Sequence, residues 1–115
     1  MITPQTGEKF TEFYLLGQNG TASNYPTDLK VGEEGKVIIG IVNHENENVT
    51  YVLKINLNGA TLKQEQVLLK ENQKWSSIFT FKAINLGNNQ MLEFFLYKEN
   101  QIEAYRTLRL YINVT

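Results

Sequence analysis

The stretch Val49-Thr50-Tyr51-Val52-Leu53-Lys54-Ile55-Asn56-Leu57-Asn58-Gly59 decides the fold. Val49, Tyr51, Leu53, Ile55 and Leu57 occupy every second position, with Thr50, Val52, Lys54 and Asn56 between them. Side chains alternate sides along an extended backbone, so this spacing describes a strand with one apolar face. Asn58-Gly59 then supplies two residues that accept positive φ, as a tight hairpin turn requires. The chain leaves the strand, reverses and begins another.

The same alternation extends in both directions. Upstream, Lys36 to Asn43 is apolar on both faces, with Val37, Ile39 and Ile41 on one side and Ile38, Gly40 and Val42 on the other. A short strand of that kind belongs in the middle of a sheet. Before it, Gly32-Glu33-Glu34-Gly35 reads as a turn. Thr21 to Lys30 reads as an edge or connecting segment, because Pro26 lacks a backbone N–H. A first strand runs from Glu8 to Leu16, with Phe13 and Leu15 opposite Tyr14 and Leu16. Downstream, Ala60 to Lys70 gives a weaker strand with Leu62, Val67 and Leu69 inward. Trp75, Phe79 and Phe81 mark another, to Lys82. Leu92, Phe94 and Leu96 mark the next, and Leu108, Leu110, Ile112 and Val114 the last. Glu71-Asn72-Gln73, Leu86 to Asn89 and Glu99-Asn100-Gln101 punctuate them.

About seven short strands with regular turn signals and no helical period describe an all-β chain, an immunoglobulin-like antiparallel β-sandwich. A small β-barrel is the alternative architecture. The expected core is Phe13, Ile39, Ile41, Tyr51, Leu53, Ile55, Trp75, Phe79, Phe81, Leu92, Phe94, Leu96, Leu108, Leu110 and Ile112. No repeat or linker divides the chain, so residues 1–115 read as one domain.

Composition narrows the function classes. The net charge is -1 and only two arginines occur, Arg106 and Arg109. That balance carries no electrostatic footprint for nucleic acid. With no cysteine, thiol nucleophiles, disulfides and Cys-ligated metals are excluded. No apolar run reaches the roughly 18 residues that cross a bilayer, and Met1 to Lys9 lacks the pattern of a signal peptide.

Reaction chemistry finds little purchase. His44 is the one histidine, and none of Ser23, Ser76 or Ser77 sits in a Gly-x-Ser-x-Gly elbow. Glu33 and Glu34 are neighbours on a turn, whereas glycoside hydrolysis needs two carboxyls facing each other across a cleft. Asn43-His44-Glu45-Asn46-Glu47-Asn48 is rich in oxygen and imidazole donors. Its spacing matches neither an EF-hand nor a zinc-protease helix, and it reads as a solvated loop between core strands. The expectation is therefore no enzyme, no cofactor and no metal site. A carbohydrate- or cation-binding accessory module using the loop around His44 is the alternative.

Two kinds of surface feature stand out. Tyr14, Tyr97, Arg109 and Tyr111 fall on the parity opposite to the core and form a candidate contact surface. Three glycosylation acceptor triplets occur, at Asn19, Asn48 and Asn113.

The segments Phe10-Thr11-Glu12-Phe13-Tyr14-Leu15-Leu16-Gly17, Asn19-Gly20, Tyr25-Pro26, Val31-Gly32-Glu33 and Gly40-Ile41-Val42-Asn43-His44-Glu45 resemble a family of predicted archaeal membrane proteins of unknown function, domain of unknown function 1616. Leu92-Glu93-Phe94-Phe95-Leu96-Tyr97-Lys98 and Tyr105-Arg106-Thr107-Leu108 fit it too. The resemblance implies an immunoglobulin-like domain on the extracytoplasmic side of the membrane, next to transmembrane helices, with no enzyme activity. This chain has no membrane span of its own, so it would be an excised domain or a member lacking the helices. The expected role is protein–protein contact, or that of a spacer at the cell envelope. The partner is unknown, no nucleic acid is involved, and the membrane enters only through segments missing from this chain.

Overall fold

Eight strands account for the regular structure of the described residues, 8–115, in the computed structural model. They are β1 (Phe10–Leu16), β2 (Asp28–Leu29), β3 (Glu34–His44), β4 (Val49–Leu57), β5 (Ala60–Leu69), β6 (Lys74–Lys82), β7 (Gly87–Lys98) and β8 (Arg106–Val114). No helix occurs among the described residues. The first seven residues of the expected 1–115 domain lie outside them.

The strands form two sheets, β1-β3-β6 and β2-β8-β7-β4-β5. All pairings are antiparallel except that of β2, which runs parallel to β8 at Asp28–Asn113 and Leu29–Val114. This is the expected immunoglobulin-like sandwich. β3, apolar on both faces, lies in the middle of its sheet as its sequence requires. The irregular Thr21–Lys30 segment supplies β2, an edge strand of two residues.

The core lies between the sheets. Val37, Ile39 and Ile41 of β3 meet Tyr51, Leu53 and Ile55 of β4 and Leu92, Phe94 and Leu96 of β7, all at most 1% exposed. The expected core residues Phe79, Phe81 and Ile112 are also buried. Phe13, Trp75, Leu108 and Leu110 are half-buried and pack on the core's margins. Trp75 touches both halves of it. Along the flank between β1 and β8, Phe13, Leu15, Tyr25, Leu108 and Leu110 face one another across an open groove.

Turn chemistry is written in asparagine. Among the described residues, all six non-glycine residues with positive φ are Asn: 24, 46, 58, 72, 89 and 100. Asn tolerates the left-handed region because its short side chain hydrogen-bonds locally. At the β4–β5 hairpin, Asn58 (φ 48°) and Gly59 (φ 86°) make the two-residue turn that the sequence announces. Lys70-Glu71-Asn72-Gln73 and Lys98-Glu99-Asn100-Gln101 share another pattern. The fourth N–H donates to the first carbonyl at 3.0 and 3.1 Å, and the third residue takes positive φ. In the first of these, Gln73 Oε1 also accepts from the Lys70 N–H at 2.8 Å.

Three expectations need correction. Leu62 is not an inward residue: it sits at a register shift opposite Ile55/Asn56 and is 47% exposed. A β-bulge inserts one residue and breaks the inside–outside alternation of the strand. β7 begins at Gly87, five residues before Leu92, because a second register shift between Gly87 and Gln90 lets the strand continue through the expected turn. The polar segment after Asn43 is only partly a loop, since β3 extends through His44 and Glu45 is 3% exposed.

The edge strand β5 carries charge on its core-side face. Lys63 and Glu65 stand directly opposite the buried Ile55 and Leu53 of β4, and pair with each other at 3.6 Å.

Candidate functional site

Two places bring chemistry-bearing side chains together. The first is a buried polar cluster at the end of the sandwich where β3 leaves its sheet. Asn43 is fully buried at the end of β3. Its Nδ2 donates to the carbonyls of Glu47, Leu69 and Lys70 at 2.8, 3.1 and 3.2 Å. Its Oδ1 accepts the Glu45 N–H at 2.8 Å. This anchoring turns the Glu45 side chain inward. There the carboxylate accepts from Thr11 Oγ1 at 2.8 Å and from the Tyr105 hydroxyl at 2.7 Å. Lys98 Nζ lies 3.2 Å from its other oxygen. Thr11 also meets the hydroxyl of fully buried Tyr51 at 2.7 Å. Lys98 and Arg106 both lie over the ring of Tyr105, at 4.1 and 4.2 Å.

The electrostatics follow from this geometry. Burial pushes the Glu45 carboxyl up, but hydrogen bonds from Tyr105, Thr11 and Lys98 and the Lys98 charge outweigh it, and the group ends below its ordinary range. Burial is likewise the main reason that the Tyr51 and Tyr105 hydroxyls hold their protons more tightly than usual, with the Glu45 charge adding to it. An ionised carboxylate, a cation and two neutral phenols satisfy one another. Such an arrangement ties β1, β4 and the β7–β8 loop to the end of β3.

His44 points the other way. Its Nε2 lies 2.6 Å from Glu12 Oε2, and its ring stacks on Phe10 with centroids 4.6 Å apart. His44 and Glu45 are adjacent in sequence but on opposite faces, so the donor-rich run does not converge. Among the described residues, no three His, Asp or Glu side chains come together as a metal site would need.

The second place is the outer face of the five-stranded sheet. Tyr97, Arg109 and Tyr111 of the expected contact surface lie there, and cross-strand register puts Val52 beside Tyr97 and Met91 beside Tyr111. Phe95 joins them, its ring 6.5 Å from that of Tyr97. Arg109 Nε donates to Glu93 Oε2 at 3.0 Å. Tyr14 does not belong to this strip. It stands on the outer face of the other sheet and covers Gly40, where an added Cβ would lie 2.1 Å from the ring carbon Cζ. Parity along a strand says which face a residue takes, but not which sheet the strand joins.

The acceptor asparagines occupy three different settings. Asn19 is exposed in a turn and Asn48 is exposed between β3 and β4. Asn113 lies within β8.

The fold has close counterparts among solved structures. A crystal structure of the CARDB domain of the PF1109 protein from Pyrococcus furiosus, in complex with di-metal ions, superposes with a TM-score of 0.72. The two sequences are 13% identical, and the match covers 98% of this chain and 95% of that one. A solution structure of the same CARDB domain gives 0.69 at 14% identity, covering 94% and 98%. A β-glucosidase from Listeria innocua matches at 0.64 and 13% identity, over 92% of this chain but only 16% of the enzyme. The fold is thus an immunoglobulin-like sandwich, similar to that of the CARDB domain. Among curated proteins, none matches the sequence. The profile of the family Domain of unknown function (DUF1616) matches residues 4–113, and the chain belongs to that family.

Proposed function

We propose that this chain is a non-catalytic extracytoplasmic domain of an archaeal membrane protein, making protein–protein contact or acting as a spacer at the cell envelope. The observation that carries the reading is how the titratable groups are used. Glu45, Lys98, Tyr51 and Tyr105 converge, but directly or through Thr11 they are paired with one another, and Glu45 itself is 3% exposed. A catalytic acid or base must instead be presented to a substrate. The contact role is supported by the aromatic outer face of the five-stranded sheet, where Tyr111 is 54% exposed and Phe95 and Tyr97 are half-buried. The spacer role is supported by the long shape, 58 × 29 × 19 Å.

The test uses the full-length reading frame in its own cells. Protease added to intact cells should cleave an epitope placed in the Asn58-Gly59 turn. Protection of that epitope until the cells are lysed would refute the location. A photo-crosslinker at Tyr97 or Tyr111 should capture a protein partner if the domain makes contacts, whereas one at Ile78, on the other sheet, should not. A silent outer face in crosslinking would leave the spacer role.

A further inference from the structure

We infer that Asn48 and Asn19 are N-glycan acceptors and that Asn113, with the same triplet, is not. The inference rests on the extracytoplasmic reading above. Glycan transfer needs the amide nitrogen of Asn to reach C1 of a sugar activated as a lipid-linked phosphate ester. The N–C1 bond forms, the C1–O bond to phosphate breaks, and the amide proton passes to the transferase. The lipid phosphate departs. The acceptor must therefore be exposed, on backbone that an enzyme can draw into its active site.

The three triplets differ in that respect. Asn113 is inside β8, hydrogen-bonded in a sheet between β2 and β7. Its Nδ2 donates to Asp28 Oδ1 at 3.2 Å and its Oδ1 accepts the Asn89 N–H at 2.9 Å. Reaching it requires β2 to be stripped from the sheet. Asn19 lies in an exposed turn, where Thr21 holds it through the amide oxygen, its hydroxyl at 2.8 Å and its N–H at 3.3 Å. Both contacts leave the reactive nitrogen turned away from Thr21. Asn48 is exposed at the start of β4, and its oxygen accepts the Glu71 N–H at 3.3 Å.

Asn48 has a second feature that points to a sugar. It borders a concavity of about 400 Å³ lined also by Val49, Leu68, Leu69, Lys70 and Gln73. Leu68 is 69% exposed there. The C–H face of a pyranose covers an apolar side chain of that size, and the Lys70 and Gln73 side chains stand at the rim for its hydroxyls. The first sugars on Asn48 therefore seat on Leu68.

The experiment is tandem mass spectrometry of the full-length protein purified from membranes of its own cells, with epitope accessibility measured on the same cells. Glycopeptides at Asn48 and Asn19 and a bare Asn113 are expected. Asn48→Gln and Thr50→Ala should each abolish the modification at that site, and Thr50→Ser should retain it, which separates loss of the triplet from damage to the fold. Hydrogen exchange at Leu68 and Leu69 should be slower in the modified protein than in Thr50→Ala. A glycan on Asn113 would overturn the inference, as would bare Asn19 and Asn48 in a protein shown to be outside the cell. Bare sites in a protein shown to be inside would overturn the inference and the location together.

Discussion

Glu45→Gln is the sharpest probe of the buried cluster. The substitution keeps the shape and removes the charge, while Thr11, Tyr105 and Lys98 still surround the site. A glutamine can set its oxygen toward Lys98 and its NH₂ toward the two hydroxyls, which can turn to accept. Thr11 keeps Tyr51 as a partner. The half-buried Tyr105 hydroxyl must then turn its own proton to water, and three contacts to a carboxylate become contacts to an amide. A hydrogen bond to a charged group contributes about 1.5–3 kcal/mol and a neutral one about 1. Lys98 is 26% exposed and recovers part of its loss from water. The net destabilisation at neutral pH is about 1–3 kcal/mol, or about 4 °C in Tm per kcal/mol for a chain of this size.

The effect depends on pH with a definite sign. The folded carboxyl titrates below the unfolded one. Its contribution is present above the unfolded pKa and is lost as pH falls through the folded value. Urea unfolding followed by the fluorescence of Trp75, the single tryptophan, should show wild type well above Glu45→Gln at pH 7. The two should draw together at pH 3. Equal stability at pH 7, or a gap unchanged at pH 3, would refute the account of the cluster.

Other perturbations test the rest of the structure. Gly40→Ala should cost about 1–3 kcal/mol, because the Tyr14 ring must leave the space a Cβ would take; Tyr14→Ala in the same chain should remove the extra cost, as read by a double-mutant cycle in urea. Trp75→Ala should cost about 2–3 kcal/mol, less than a fully buried aromatic, since Trp75 is half-buried against both parts of the core; a melting temperature within a degree or two of wild type would displace it from that role. His44→Ala should cost less than about 1 kcal/mol, its pair with Glu12 being open to solvent, and the metal content of the purified protein should not change.

Much of the sandwich is legible because short-range spacing controls it. Alternation in Val49 to Leu57 and the following Asn-Gly give a hairpin with no knowledge of the remainder, and the two-faced apolar run of β3 gives its central place. The cluster around Glu45 is not legible in that way. Locally, His44-Glu45-Asn46-Glu47-Asn48 is as polar as any loop. Its burial depends on Thr11 and Tyr105, 34 and 60 residues away in sequence. The one local hint is Asn43, a polar residue at the end of an otherwise apolar strand. Leu62 lies beside a bulge that spacing cannot show. Parity alone puts Tyr14 with the outward residues of β7 and β8, because it carries no information on which sheet a strand joins. The acceptor triplets are visible in the sequence, and alternation already puts Asn113 in the last strand; its pairing with β2 and its bonds to Asp28 and Asn89 are not visible there.

The inward charges of β5 bear on how such domains behave when crowded. An open sheet margin is a template for another chain, and many copies held on one surface would meet margin to margin. Lys63 and Glu65 stand where a docking strand would have to bury apolar side chains. On the opposite layer, Lys74 and Lys82 close the two ends of β6, so that two copies joined there in mirrored register would set ammonium against ammonium. Neighbours can then be packed densely without fusing into a continuous ribbon.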